Sequence, residues 1–335
     1  MIFYLVLIVL LVVFVFSTTA KAAVLSETFS RPTQMLADST HIYITDYPTV
    51  TIYSITDFKL VGSFGSRGEG PQEFKQYITL FFQDTPPDDL VVSSIGKVSF
   101  YSRSGTFIKE VKIPFGGWTF QPLATKFLAH VLGGTDKEGY KTLVMYDSDF
   151  NKLKEIYRKE FFFDDSIKKR VLFAENYRYW TYRNIVYVVA KDEFIIERFD
   201  FEGNPLPPIA LEYQREKCTE EHKKLVLDSF RRDARIRPIF EKIKDRTEFP
   251  DYFRAIVEIV PDNGKIYVLT FRQRDGKSEF YILDLDGKLL QKIFMPIKTV
   301  NGVTPFPFTV KNGKLYQVVD NEETEKWEIH VASFD

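Results

Sequence analysis

A hairpin pattern recurs along the chain at intervals of about 48 residues, and it constrains the fold more than any single motif. Each copy has a β-rich run that ends at a polar turn, then a second strand followed by another turn. The first-half runs are residues 42–46, 90–94, 126–131, 185–189, 266–270 and 315–320. Repeated pairs of hairpins of this size are typical of the blades of a β-propeller.

The second-half strands give the number of blades. They align on one aromatic or aliphatic residue per copy, namely Tyr53, Tyr101, Tyr146, Phe199, Leu283 and Ala332. Only the interval from Phe199 to Leu283 is anomalous, because it contains an insertion of about 35 residues. We therefore predict an all-β fold, a six-bladed β-propeller over residues 23–335. We expect residues 24–29 to supply the outer strand that closes the ring and covers its open edges.

The insertion, residues 214–248, lies between predicted blades four and five. Its apolar residues recur at helical spacing, and Thr219 followed by two glutamates is a typical helix start. We predict a short α-helical insertion of two helices that caps one face of the propeller. Arg231, Arg232 and Arg235 cluster within it, which fits either a solvated helix face or a docking surface for an acidic partner or lipid headgroups.

The N-terminal segment is apolar from residue 2 to residue 16, and Ala20 and Ala22 match the positions that a signal peptidase reads. No Lys or Arg precedes the apolar run, which departs from the usual signal pattern. Residues 1–22 are thus predicted to be a signal peptide or an N-terminal membrane anchor, since residues 1–20 are just long enough to span a bilayer. Both alternatives predict export to the periplasm or the extracellular space, with membrane contact only through residues 2–20 if they are retained.

Composition excludes several classes of partner. The chain has 45 basic and 46 acidic side chains, so no global charge favours nucleic acid. The run from Tyr177 to Arg183 interleaves aromatic and basic residues as single-strand nucleic-acid surfaces do, but it also fits a strand with two mixed faces, and we predict no nucleic-acid binding. The aromatic fraction of 16% fits packing between sheets or a sugar-binding surface. The single cysteine, Cys218, excludes an intramolecular disulfide.

A glycine-rich stretch, FGSRGEGPQEF at residues 64–74, is the most specific motif. It resembles the G-x-G-P-x-E-F stretch of NHL-type six-bladed propellers, which joins one blade to the inner strand of the next. The resemblance implies the fold only, because this fold hosts enzymes, adaptors and carbohydrate binders alike. Gly65, Gly68 and Gly70 allow positive φ and a tight path of the chain near the propeller axis. Arg67 and Glu69 would then lie near the mouth of the central channel, where they contact a ligand or pair with each other.

The sequence offers no catalytic or metal-binding constellation. The four histidines, His41, His130, His222 and His330, are single and far apart. A ring of Asp46, Asp84, Asp192, Asp262 and Asp320 would be a conceivable Ca²⁺ site, but aspartate is also a common turn residue. We therefore predict no catalytic residue and no cofactor, with Ca²⁺ as the weaker alternative; a metal-dependent enzyme would need Ca²⁺ or Zn²⁺.

Three functions fit these observations. The leading one is an exported, non-catalytic propeller that binds a protein, peptide or glycan partner in the cell envelope through its helix-capped face. The alternative is a metal-dependent hydrolase or lyase, similar to gluconolactonases, that acts in the central channel. The third is a structural scaffold of the envelope.

Overall fold

Six antiparallel four-stranded sheets form the molecule. The computed structural model describes residues 21–83, 88–113, 117–135, 138–162, 170–173 and 177–334. Each sheet is one blade, and its strands follow one another in the chain from the inner to the outer edge. The exception is the last blade, whose outer strand comes from the N-terminal part of the chain. The fold predicted from the repeat is thus confirmed.

The strands are numbered in chain order. The closing strand is β1 (Lys21–Val24). Blade one contains β2 (Gln34–Ala37), β3 (His41–Asp46), β4 (Thr49–Ser54) and β5 (Leu60–Phe64), and the short strands β6 (Ser66–Arg67) and β7 (Glu73–Phe74) follow it. Blade two contains β8 (Ile78–Phe82), β9 (Leu90–Ser94), β10 (Lys97–Tyr101) and β11 (Phe107–Lys112). Blade three contains β12 (Gly117–Leu123), β13 (Lys126–Gly134), β14 (Glu138–Tyr146) and β15 (Lys152–Phe162), followed by β16 (Arg170–Val171).

The second half of the chain continues the same order. Blade four contains β17 (Arg178–Tyr182), β18 (Ile185–Val189), β19 (Ile195–Phe199) and β20 (Pro205–Ala210). The insertion holds α1 (Glu220–Arg232), a 3₁₀ turn (Arg237–Ile239), α2 (Phe240–Asp245) and β21 (Thr247–Glu248). Blade five contains β22 (Ile256–Asp262), β23 (Lys265–Arg274), β24 (Lys277–Asp284) and β25 (Leu289–Met295), and blade six β26 (Phe308–Lys311), β27 (Lys314–Asn321) and β28 (Lys326–Ser333), with β1 outside it.

The residues used to count the blades lie on the third strand of every blade. Blades one to three carry Tyr53, Tyr101 and Tyr146 there, and blades four to six carry Phe199, Leu283 and Ala332. The side chains of a strand alternate between the two neighbouring blades, because successive residues point to opposite faces of a sheet. Six separate apolar clusters result, one in each interface between adjacent blades.

The closing strand differs from the expected one. The chain pairs residues 21–24 with residues 328–331 of β28, whereas residues 24–29 were predicted for this position. Leu25 and Phe29 are buried instead, and the Phe29 ring packs edge-on against Trp327 at 5.8 Å between centroids. These two apolar residues therefore anchor the turn from β1 into the inner strand of blade one, which explains their strand-like sequence pattern.

The two faces of the ring differ in their connections. Because neighbouring strands are antiparallel, every connection between blades emerges on one face, here called the helix-capped face, which carries residues 65–77, 211–255 and 296–307. The opposite face carries the hairpins between first and second strands, and β1 begins there. Within the described residues no helix is both long and apolar enough to cross a bilayer. Residues 1–20, on which the export prediction rests, lie outside the described part of the chain.

Candidate functional site

The insertion folds as its sequence indicates. Thr219 accepts a hydrogen bond from the backbone N–H of His222, and the His222 ring pairs in return with the Thr219 backbone N–H, so histidine replaces the usual glutamate of a capping box. Glutamates occupy the first turn of α1 and arginines its last turn, as the helix dipole favours. Pro238 lies in the 3₁₀ turn just before α2, where a missing N–H costs little.

Arg272, an arginine of blade five, holds the segment that enters the insertion, here called the first stalk. The Arg272 guanidinium donates to Glu216 at 2.5 Å and to the Gln214 carbonyl at 2.9 Å, and it lies 3.5 Å from Glu279. The Glu279 side chain is only 6% exposed and also accepts a hydrogen bond from Thr270. A charge this deeply buried needs a partner, so the network fixes the stalk on the blade.

A second arginine, Arg215, joins the first stalk to the segment that leaves the insertion. Arg215 donates to Asp192 at 2.9 Å and to the backbone carbonyls of Tyr252 and Phe253. The N–H of Phe253 returns a hydrogen bond to the Glu216 carbonyl. The segments that enter and leave the insertion are therefore paired before they diverge into α1 and blade five.

The insertion reaches across the mouth of the channel. Its β21 pairs in parallel with β16, in the connection from blade three to blade four. Leu225 of α1 packs so closely on Gly302, in the connection from blade five to blade six, that a Cβ there would lie 2.6 Å from it. Asp233, at the end of α1, interacts electrostatically with Arg31, which leads into blade one. Contacts with three connections around the ring position the insertion over its axis.

An apolar cluster beneath the helices, here called the insertion core, closes this end of the channel. Buried Cys218, Val226, Phe253 and Val303 form it, with Leu172, Phe173, Phe230, Phe249 and Phe271 packed around them. The rings of Phe253 and Phe271 stack at 4.6 Å between centroids. Burial also raises the pKa of the Cys218 thiol, which keeps it protonated and unreactive.

The predicted arginines form the outer surface of the insertion. Arg231, Arg232 and Arg235 are all exposed. Arg231 pairs with Asp228 and stacks on Phe240, and Arg235 pairs with Asp233 at 2.9 Å, which lowers the pKa of that carboxyl to about 2. We call the exposed side chains Arg231, Arg232, Arg235, Arg237 and Ile239 the insertion surface. The sequence predicted the arginines as surface residues. It did not predict Ile239, which is 52% exposed, because Ile239 fits the apolar pattern of a helix face.

The other two predicted ligand-binding residues lie on the helix-capped face but not among those that line the channel. Arg67 is exposed, and Glu69 pairs on the surface with Lys75 at 2.7 Å rather than with Arg67, the alternative to ligand contact. The contact of Arg67 and Glu69 with a ligand stays a prediction.

The backbone path of the glycine-rich stretch depends on positive φ at one glycine and on a carboxylate that lies against the other two. Only Gly65 among its three glycines has positive φ, at 94°. Gly68 and Gly70 instead lie against the Glu73 carboxylate, which accepts a hydrogen bond from the Gly70 N–H at 2.9 Å. Positive φ is thus used at Gly65, while Gly68 and Gly70 leave space for the Glu73 side chain.

Replacing Gly65 by alanine is expected to lower the free energy of unfolding by about 2–3 kcal/mol. A Cβ there would lie 2.5 Å from the Pro48 carbonyl oxygen and 2.8 Å from the Phe74 ring, in addition to the strain of positive φ. Gly62→Ala is the matched control, because no atom lies within 4 Å of its added Cβ. Urea unfolding of both variants measures the difference in stability. An equal loss of stability in both would contradict the close packing and positive φ assigned to Gly65.

The central channel is a cavity of about 680 Å³ lined by the inner strands of all six blades. Phe173, Phe271 and Val303 of the insertion core line its closed end. Toward the opposite face it adjoins a second cavity of about 460 Å³, which shares Phe82, Thr181 and Tyr182 with it. The channel is thus closed at the helix-capped face and continues toward the opposite one.

Three of the five aspartates proposed for a Ca²⁺ ring have other partners. Asp46 accepts hydrogen bonds from two backbone N–H groups, Asp192 pairs with Arg215, and Asp262 pairs with Lys311 at 3.0 Å near the opposite face. Asp84 lies outside the described residues, and Asp320 is exposed. Over the described part of the chain, no group of three or more His, Cys, Asp or Glu side chains is arranged to hold a metal ion.

One histidine lies in the channel wall. The His130 ring packs edge-on against Tyr177 and Tyr179, each at 4.7 Å between centroids. Burial, with nearby Lys141, lowers the pKa of His130 to about 3, so the ring is neutral. Burial, with nearby Arg178, also lowers the pKa of Lys141 to about 8. Burial between blades three and four thus disfavours the charged form of both side chains.

A comparison with protein-family models also identifies the fold. The model of DUF5128, described as a six-bladed β-propeller, matches residues 26–236. The chain belongs to the DUF5128 family. The six blades confirm the coarser part of the sequence resemblance, and the NHL-like assignment of this DUF5128 protein stays a prediction. A comparison with curated proteins finds no match.

Solved structures show the same fold at low sequence identity. A Bacteroides fragilis protein named as a candidate exported protein has a TM-score of 0.57 at 11% identity, with 94% of this chain and 95% of that chain covered. A DUF4221 family member from Bacteroides vulgatus has a TM-score of 0.53 at 11% identity, with 95% and 96% covered. At this identity the similarity of the DUF5128 protein to them extends to the fold alone.

Proposed function

We propose that this DUF5128 propeller is an exported, non-catalytic binding protein whose insertion surface binds an acidic protein or peptide partner in the cell envelope. The observation that carries the proposal is the anchored insertion, which closes one end of the channel and presents an exposed basic surface away from it. The sequence of residues 1–22 supports export, as does the name of the Bacteroides fragilis neighbour.

The chemistry of the insertion surface fits an acidic partner. Seven basic and only three acidic side chains lie between positions 231 and 246, in a chain whose net charge is −1. Complementary charge of this kind speeds association and selects among partners. Exposed Ile239 lies among the arginines. Protein interfaces commonly bury apolar side chains of this kind at their centre and are enriched in arginine.

The catalytic alternative has less support. The channel carboxylates Glu258 and Asp262 are each paired with a cation, Arg178 and Lys311 respectively. The closed end of the channel is apolar, as a plug under a binding surface would be. A binding role therefore explains more of the described residues than hydrolysis or lyase chemistry does.

Reversing the charge of the insertion surface is expected to abolish partner capture. The variant R231E/R232E/R235E, with a matched control K152E/K265E/K314E on the opposite face, would be used as bait in envelope extracts of the source cells. We expect a protein retained by the wild type and the control to be lost from the insertion variant, since each reversed charge repels an acidic partner. Equal capture by all three proteins, or capture of nothing by the wild type, would contradict the proposal.

A further inference from the structure

An ion pair in the channel wall leads to a second binding site, separate from the insertion surface. Arg178 on β17 and Glu258 on β22 join the inner strands of blades four and five at 2.9 Å. Neither side chain is fully buried: 49% of Arg178 and 28% of Glu258 is exposed. Both residues line the 680 Å³ cavity. The pair therefore presents hydrogen-bonding atoms to whatever occupies the channel.

The pair has unused hydrogen-bonding capacity of both kinds. Arg178 donates to the Val257 carbonyl and to Glu258 through one nitrogen, and a guanidinium carries five N–H groups. Glu258 accepts from the Ile259 N–H with its other oxygen, and each carboxylate oxygen has two lone pairs. A charged ligand would be attracted by one member of the pair and repelled by the other. A neutral ligand with hydroxyl groups both donates and accepts, so it uses the pair without breaking it.

The same strand supplies aromatic surface. Trp180 and Tyr182 alternate with Tyr179 and Thr181 along β17, so they lie on the side of the strand that carries Arg178. Both rings are partly buried and line the cavity. Aromatic rings offer apolar faces to the C–H groups of a sugar, while the neighbouring polar side chains take its hydroxyls.

The adjoining wall, formed by blade three, adds polar groups and backbone strain. Thr119 on β12 lines the cavity with φ of 61°, a conformation that a β-branched residue rarely adopts. Its carbonyl accepts a hydrogen bond from the Tyr179 hydroxyl at 2.6 Å, which holds the strained segment in place. Five further threonines line the cavity: Thr33, Thr79, Thr181, Thr304 and Thr309. Strain held in this way is found preferentially at binding sites.

From this arrangement we infer that the channel binds a neutral mono- or oligosaccharide, which enters from the face opposite the helices and lies against Arg178, Glu258 and Trp180. A volume of about 680 Å³ is within the range of small-ligand sites. The helix-capped end is closed by the insertion core, so the sugar site and the insertion surface are reached from opposite sides of the ring.

Calorimetric titration tests the inference with defined sugars: glucose, galactose, mannose, N-acetylglucosamine, maltose, lactose and cellobiose. We expect at least one of them to bind the wild type and raise its melting temperature. Glu258→Gln and Trp180→Ala should each weaken that binding by about tenfold or more, because each removes a direct contact. Glu155→Gln breaks an ion pair of similar exposure on the outer strand of blade three and should leave binding unchanged.

The inference is overturned if none of these sugars binds the wild type. It is equally overturned if both channel variants, shown to be folded by circular dichroism, bind as tightly as the Glu155→Gln control. The insertion variant R231E/R232E/R235E should bind the sugar normally, so this result is independent of partner capture.

Discussion

Phe29→Ala is expected to lower the free energy of unfolding by about 3–5 kcal/mol. The Phe29 side chain is 6% exposed and packs on Trp327, which joins blade six to the turn that enters blade one. Removing it leaves a cavity in the interface where the ring closes. Tyr252→Ala removes an aromatic ring that is 48% exposed, and it should change stability by about 0.5 kcal/mol or less.

The closing strand itself should matter less than its anchor. Ala22 and Val24 are exposed and Ala23 is only half-buried, so β1 contributes mainly backbone hydrogen bonds. A chain that begins at Leu25 should therefore lose about 1–3 kcal/mol relative to one that begins at Lys21. Urea unfolding of the two chains and of Phe29→Ala gives the ranking. A larger loss from removing the strand than from Phe29→Ala would show that backbone pairing closes the ring.

Arg272→Leu is expected to cost about 2–4 kcal/mol and to loosen the insertion from blade five. The substitution leaves the Glu279 carboxylate, 6% exposed, with Thr270 as its remaining side-chain hydrogen-bond partner among the described residues. An uncompensated buried charge is strongly destabilising, and the 30% exposure of Arg272 moderates the cost. Hydrogen exchange should then rise in α1, since Glu216 and the Gln214 carbonyl lose their donor.

The double variant Arg272→Leu/Glu279→Leu should recover much of the lost stability, because it removes both charges together. Arg158→Leu breaks an exposed pair with Glu155 and should cost less than about 1 kcal/mol. If Arg272→Leu costs no more than Arg158→Leu, the buried network does not hold the insertion.

The architecture was accessible from the sequence because propeller blades repeat. Tyr53, Tyr101 and Tyr146 recur at the same strand position, since each fills the same place in successive blade interfaces. The insertion was recognisable because its apolar period changes from two to that of a helix. Thr219 predicted the beginning of α1 because a helix cap depends only on neighbouring residues.

The closing strand was misplaced because a long-range contact decides the role of its residues. Leu25 and Phe29 were assigned to the strand itself, but their partner Trp327 lies about 300 residues away and buries them in the turn that follows β1.

The channel site was the least predictable part of the molecule. The alternation in the run from Tyr177 to Arg183 indicated two mixed faces, and the structure places Arg178–Tyr182 as the inner strand of blade four. Which side chains meet across the channel depends on blade order, so the pairing of Arg178 with Glu258, 80 positions apart, is not visible in the sequence. Arg231, Arg232 and Arg235 were visible as a cluster because they are local.

Site-specific photo-cross-linking tests whether the partner binds at the insertion surface. A photoreactive amino acid would be introduced at position 232 on the insertion surface or at position 265 on the opposite face, each in the full chain, and irradiated in whole cells. We expect a discrete cross-linked partner from position 232 and none from position 265. Capture of a partner only from position 265, or equally from both positions, would show that the insertion surface is not the binding site.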